Sequence, residues 1–474
     1  MTTELLAPLD LAFWHLESPD HPMHLGALAV FTAVPGTTPG EGVPELLATR
    51  AAAVPRLRMR VRDVLLPVGG AAWAVDKDFD VHRHVRVLPL PPGDFAAQAE
   101  LLAGELMERP LERGVPPWEM YVLTPADGGR ERGGSGPAAS TGPGASHAGG
   151  PPAGADRRFA VLVKMHHALA DGMRAVAIGA GIFDQIADVR AAGARRARPV
   201  PPRSWLPGPW QAAGLARDRL EDLRRALGIG ASVVRASRFD PRGVAALTAG
   251  SSGTRRLATA VLDLADVQLV RKAAGGSAND VLLATVAGAL RRWMLERGEP
   301  LPAAAPRALV PVSRRRPGSP AGSANKLSAY LLGLPVAEGD ARARLRAVRG
   351  AMDRNKSEGP ARGAGAVALL ADALPPLAHR LGAPLAGNAA RVLFDILVTS
   401  VPLPRSSLSL GGCPLRALYP MAPLARGQSL AIALSSYGGQ VYVGLVADGK
   451  AVPDLARLAR GMNEELDELL RIAP

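Results

Sequence analysis

Two adjacent histidines followed by an aspartate–glycine pair, His166-His167-Ala-Leu-Ala-Asp171-Gly172, have the residue types and spacing for proton transfer. Side chains alternate across a strand, so only one of the two histidines can face a given cavity. A histidine in that place titrates near neutrality and suits a general base. Asp171 falls at a strand-to-helix turn, where its carboxylate can hold the local backbone or pair with an arginine, and Gly172 permits a tight backbone conformation. The same residues also read as a pair of core histidines or as metal ligands. The metal reading is the poorer one: there is no HExxH, the remaining histidines are scattered, and the chain has a single cysteine. His82 and His84 share a face of an expected strand beside an acidic turn but lack further ligands, so no metal is expected.

Elements of recognisable pattern must position this motif. Phe159–Met165 (FAVLVKM) is a nearly continuous apolar strand leading into it, and Met173, Val176, Ala177, Ala180, Phe183, Ile186 and Ala187 recur at helical spacing after it. Upstream, Leu25–Thr32 reads as a strand, Glu45–Ala53 as helical, and Phe95–Arg109 as an amphipathic helix. Trp73–Val75 and Val81–Leu88 read as strands on either side of the acidic turn Asp76–Asp80. Residues 126–157 are Gly-, Ser- and Pro-rich with almost no large apolar side chains, so they cannot offset their ordering entropy and are expected to form a disordered surface insert. A Pro- and Arg-rich connector (191–210) and a basic helical stretch (211–236) divide the chain. Alternating strands and helices resume near Leu257 and end in a strand pair, Ser429–Ser436 with Gln440–Ala447, and a helix over Val452–Ile472. The expected organisation is an N-terminal α/β half (1–190), a linker (191–245) and a C-terminal α/β half (246–474). Asn279 and Asp280 open a helix in the second half, where an acidic residue also caps with no further role.

Composition narrows the function classes. Hydrophobic residues at 47% and charged residues at 21% are ordinary for a globular chain and exclude a wholly disordered one. Cys413 stands alone, which excludes an intramolecular disulfide and multi-cysteine metal centres. A formal net charge of +13 calls for an anionic partner: nucleic acid, an anionic membrane or a phosphorylated cosubstrate. Aromatics at 4%, with no nucleic-acid motif, argue against nucleic acid. Glu4 and Asp10 occupy the place of a signal peptide's basic and apolar regions, and no uncharged apolar run reaches membrane-spanning length. A cytoplasmic protein, soluble or peripheral, is expected.

Further blocks accompany the histidine motif: Pro8-Leu9-Asp10-Leu11-Ala12-Phe13 with His21-Pro22-Met23-His24-Leu25-Gly26; Trp73-Ala74-Val75-Asp76; Pro116-Pro117-Trp118-Glu119; and Asn279-Asp280-Val281-Leu282. Val310-Pro311-Val312-Ser313, Asn325–Ser328, Val398–Pro402, Tyr419–Pro423 and Gly444–Asp448 follow. Together they resemble the bacterial wax ester synthase/acyl-CoA:diacylglycerol acyltransferases, within the HHxxxDG acyltransferase superfamily that includes condensation domains and chloramphenicol acetyltransferase. The resemblance spans the chain apart from 126–157 and the connector. It implies an α/β (α+β) fold of two chloramphenicol-acetyltransferase-like domains with a central tunnel between them. It also implies transfer of a fatty acyl group from acyl-CoA to diacylglycerol or a long-chain alcohol, by direct attack.

In that scheme His167 is the base, His166 faces the other way in a supporting role, Asp171 with Gly172 fixes the loop, and Asn279 is a better candidate than Asp280 for a polar contact near the site. No permanent cofactor is implied, and acyl-CoA is the co-substrate. Its phosphates need only a few of the surplus cations. The remainder, notably the arginines of 195–238 beside Trp205 and Trp210, suits an anionic membrane or lipid-inclusion surface, or a solvated linker. Arg174, Pro117 and Ser400 depart from the family pattern and bear on substrate choice. A condensation-type acyltransferase with another acceptor, or a catalytically weak lipid-binding paralogue, is the alternative.

Overall fold

Alternating apolar residues and turn-forming glycines translate into strands and helices in a computed structural model. It describes residues 4–125, 157–170, 178–179, 181–184, 244–313, 327–358, 376–382, 393–404 and 406–472. The first half contains β1 (Glu4–Leu5), α1 (Pro8–Leu16), β2 (His24–Thr32), α2 (Val43–Ala52), β3 (Met59–Asp63), β4 (Ala71–Val75), β5 (Val85–Pro89), α3 (Phe95–Glu108), β6 (Trp118–Thr124) and β7 (Arg158–His166). The second contains β8 (Arg255–Asp263), α4 (Leu264–Ala274), α5 (Ala278–Glu296), β9 (Arg307–Ser313), β10 (Leu327–Gly333) and α6 (Ala341–Glu358). It continues with β11 (Ile396–Ser400), β12 (Ser409–Leu410), β13 (Cys413–Met421), β14 (Leu430–Tyr437), β15 (Gln440–Asp448) and α7 (Leu455–Ile472). The expected insert, connector and basic helix, with Trp205, Trp210 and Arg174, lie outside the described residues apart from their margins.

Two six-stranded sheets form the body, ordered β12-β13-β2-β7-β6-β5 and β10-β9-β11-β14-β15-β8, and a small sheet β1-β4-β3 is appended to the first half. β7, which carries the histidines, is central, antiparallel to both β2 and β6. A central strand is buried on both faces, which is why its sequence is a nearly continuous apolar run.

Two findings differ from the sequence expectation. Val81–Leu88 is not one strand: Val81–Arg83 is a 3₁₀ turn, with the Asp80 carboxylate accepting from the His82 amide at 3.0 Å, and β5 begins at Val85. His82 and His84 therefore do not share a strand face, and buried His84 instead bonds the Trp118 carbonyl through Nδ1 at 2.8 Å. Secondly, the expected boundary at 246 is crossed. The second half sends Ser409–Met421 back into the first sheet, where β13 pairs with β2 from Leu415↔Phe31 to Met421↔Gly26.

That excursion joins the halves. One apolar cluster is built from both, with Leu106, Met107 and Leu162 of the first packed among Leu257, Met421 and Val446 of the second. Each such side chain, fully buried, contributes about 1.5–3 kcal/mol. Polar bonds fix the register: Ser435 Oγ donates to the Leu418 carbonyl at 3.0 Å and the Tyr442 hydroxyl to that of Arg416 at 2.5 Å. Gly444 of β15 has no side chain because the Pro420 carbonyl of β13 occupies the space a Cβ would need. Within the second half, Gly288 of α5 similarly makes room for the buried Glu465 carboxylate, which pairs with Arg344 and Arg292.

Candidate active site

His166 ends β7 and His167 follows it, and neighbouring elements hold them from both sides. The His166 amide donates to the Pro117 carbonyl at 3.0 Å and the His167 amide to the Met23 carbonyl at 2.8 Å. Pro117 therefore acts through its backbone, which explains why a proline serves where the family pattern has leucine. Trp118 anchors that segment, fully buried with its indole donating to the Leu57 carbonyl at 2.7 Å.

His166 is buried and closes the turn after the strand, its Nδ1 accepting from the Ala168 amide at 3.0 Å. Accepting at Nδ1 places the ring proton on Nε2, which lies 3.5 Å from Oε1 of Glu17. Burial, with Arg113 and His167 nearby, pushes its pKa down to about 3, so the ring is neutral at physiological pH. His167 is half-buried, with its ring stacked on Phe13 at 3.9 Å between centroids and 24° between planes. His166 is thus fixed and neutral, whereas His167 is half-buried against Phe13.

Helix α1 serves both rings with consecutive residues. Phe13 stacks on His167, and Trp14 meets His166 edge-on at 5.1 Å. The Arg113 guanidinium lies 3.8 Å above Trp14 and donates to Glu17 Oε2 at 2.6 Å. Burial raises the pKa of Glu17, opposed by that arginine. The Glu17 carboxylate also accepts from the Met23 amide at 3.3 Å, so it bridges His166, Arg113 and the residue whose carbonyl holds His167. Phe13 belongs to the first matched block but was given no role there, and sequence reasoning missed Trp14, Glu17 and Arg113. Trp14 and Glu17 lie between the two N-terminal blocks, and Arg113 lies just before Pro116–Glu119.

Lys164, two residues before His166 and on the same strand face, was also missed. It is fully buried and donates to the Leu106 and Arg109 carbonyls, capping the C-terminus of α3, with Glu119 at 3.5 Å. Burial lowers its pKa, with Glu119 opposing the shift.

The other expected site residues are distributed as follows. Asp171 and Gly172 lie outside the described residues. Asp280 closes a capping box at the start of α5: its carboxylate accepts from the Ser277 amide at 2.7 Å, and the Asp280 amide donates back to Ser277 Oγ at 3.3 Å. Asn279 is partnered by Ser400, whose hydroxyl donates to its Oδ1 at 3.2 Å, rather than by either histidine. Among the described residues, no group of three or more His, Cys, Asp or Glu could hold a metal ion. Among them too, no helix is long and apolar enough to cross a membrane.

Comparison with known proteins adds a family context. The model of the wax ester synthase/diacylglycerol acyltransferase catalytic domain matches residues 6–131 and 154–282, and that of the corresponding C-terminal domain matches residues 323–470. The chain is 30% identical over 485 aligned residues to the Mycobacterium tuberculosis protein named "Probable diacyglycerol O-acyltransferase tgs1", covering 99% of this chain and 96% of that one. Among solved structures it is similar to the wax ester synthase/diacylglycerol acyltransferase from Marinobacter aquaeolei VT8, with a TM-score of 0.67 and 23% identity over 99% of both chains. The starter condensation domain of rhizomide synthetase RzmA, in complex with C8-CoA, shares the fold with a TM-score of 0.57 and 15% identity over 100% of this chain and 96% of that one.

Proposed function

Because this chain belongs to the wax ester synthase/diacylglycerol acyltransferase family, we propose that it moves a fatty acyl group from acyl-CoA to diacylglycerol, and to long-chain alcohols, with His167 as the general base. The observation that carries the assignment of the base is the contrast between the two rings. His166 is buried, neutral and committed to the turn, whereas His167 is half-buried and stacked on Phe13. In this reaction His167 takes the proton of the acceptor hydroxyl as its oxygen attacks the thioester carbonyl carbon. The carbon–sulfur bond then breaks, and the proton passes to the departing CoA sulfur, giving an ester and free CoA. No covalent enzyme intermediate is needed. The family resemblance assigns Asp171 and Gly172 a loop-holding role, and acyl-CoA is bound only as a substrate. The lipid character of both substrates and the +13 net charge favour work at an anionic membrane or lipid-inclusion surface facing the cytoplasm.

The test uses radiolabelled palmitoyl-CoA with dipalmitoylglycerol or hexadecanol. A positioned base contributes about 10²–10⁴-fold, so His167→Ala is expected to lose rate by that factor while remaining folded. Wild type forming neither ester removes the activity. A His167→Ala variant that keeps wild-type turnover removes the assigned base.

A further inference from the structure

The small sheet β1-β4-β3 has no part in the chemistry above, yet its β3–β4 turn exposes aliphatic side chains to water. Leu65 is 93% exposed, Leu66 63% and Val68 55%. A second segment far away in sequence adds to them. In the helical turn at 376–382, Leu377 and Leu381 are exposed four residues apart and so share one side of it, while His379 is buried. The two segments meet backbone to backbone. Gly69, at φ 78°, lies so close to the turn that a Cβ there would stand 2.9 Å from the Leu377 Cα. Exposed apolar groups from two separate parts of the chain therefore form one surface patch, the kind of patch that marks an interaction site rather than scattered surface leucines.

We infer that this patch is the surface through which the protein docks on an anionic lipid layer, an inference that rests on the lipid-acyltransferase reading above. Two observations select lipid over another occupant. The first is charge. Across 62–70 and 376–382 the ionised side chains are Arg62, Arg380 and Asp63, all exposed, so cations outnumber acids beside the leucines. Aliphatic side chains with flanking arginines match the boundary between acyl chains and anionic headgroups. The second is connection to the site. His15 Nε2 donates to the Gly69 carbonyl at 3.0 Å, and His15 belongs to α1, which also lays Phe13 on His167. Docking through Leu65 and Leu66 thus brings the helix that covers the candidate base close to the phase that holds a water-insoluble acceptor.

The experiment is vesicle flotation of the full chain with phosphatidylcholine containing or lacking phosphatidylglycerol. It compares wild type with Leu65→Gln/Leu66→Gln, Leu377→Gln/Leu381→Gln and Arg62→Ala/Arg380→Ala. Each leucine pair is expected to weaken binding at least about tenfold, since moving one aliphatic side chain out of water accounts for a factor of that order. The arginine pair is expected to weaken binding only to vesicles containing phosphatidylglycerol, and added salt to do the same. The unfolding midpoint of every variant stays at the wild-type value, because these side chains are solvent-exposed. Wild type that fails to bind, or leucine variants that bind as wild type does, overturns the inference. So does loss of a concentration-dependent dimer without loss of vesicle binding, which assigns the patch to a second copy of the chain. Esterification of hexadecanol dispersed in detergent micelles, without vesicles, by wild type reads the acyltransferase activity separately. No ester removes that reading, whereas ester formation with undiminished vesicle binding by the variants removes the docking surface alone.

Discussion

Replacing Gly444 with alanine perturbs a place where β15 of the second sheet rests directly on the backbone of β13, which belongs to the first. A methyl carbon at 444 would stand 3.0 Å from the carbonyl carbon of Pro420 and closer still to its oxygen. A carbonyl bond is about 1.23 Å long. With the oxygen directed at the new methyl group, the sheets must separate by roughly 1 Å or more to restore contact at about 3.4 Å. No rotamer change relieves the overlap, because the obstructing atoms are backbone. Overpacking of this kind costs about 3 kcal/mol or more. At about 2–4 °C per kcal/mol for a cooperative unit of 150–250 residues, the unfolding midpoint falls by roughly 6–12 °C. β13 is separated from β7 by β2 alone, so the shift also reaches His167, where a misplacement of about 1 Å can cost on the order of 10²-fold in rate. Calorimetry and acyl-transfer rates on Gly444→Ala measure both effects. Gly461→Ala is the control: it lies inside α7 with its nearest neighbour, Ala289, at an ordinary 3.6 Å. There alanine is expected to be neutral or to stabilise by up to about 1 kcal/mol. Equal effects of the two substitutions, or an unchanged Gly444→Ala midpoint, would refute the assigned contact between the sheets.

Glu17→Ala leaves the Arg113 guanidinium and the Met23 amide without their carboxylate, at a cost of about 1–3 kcal/mol. Because Met23 holds the His167 amide, the loss is expected chiefly in kcat, by roughly 5–150-fold, with KM little changed; a kcat equal to wild type would show that Glu17 does not position the base. The neutral His166 makes stability pH-dependent. Its folded pKa of about 3 lies below the unfolded value of about 6.5, so between these values the unfolded chain binds a proton that the folded chain excludes. This contribution is fully present above about pH 6.5 and is lost as pH falls towards 3. Chemical unfolding between pH 6 and pH 4 should show the stability of His166→Asn falling less steeply than that of wild type, by about 1.4 kcal/mol per pH unit; identical slopes would assign His166 an ordinary pKa.

Much of the site was legible because its signals are local. An apolar run ending in His-His followed by Asp-Gly announces a buried strand with one histidine on each face, and β7 runs from Arg158 to His166 accordingly. Ser277 three residues before Asp280 carries the capping box in the sequence itself, so that carboxylate's bonding was readable without the fold. Lys164 was less legible. A lone lysine in an apolar strand shows no sign that the end of α3, more than fifty residues upstream, supplies the carbonyls that make its burial tolerable.

By itself the sequence determined the strand that leads to the histidines, the helix caps and the family resemblance, since each follows from periodicity, turn chemistry or motif spacing along a short stretch. Only the tertiary structure brought Glu17, Trp14 and Arg113 around His166 from distant segments. It also decided that Cys413–Met421 pairs with β2 rather than remaining with its own half. A strand's alternation specifies a buried face but not the partner that buries it. That partner is settled by complementary surfaces and by carbonyls and amides that must be paired once water is excluded.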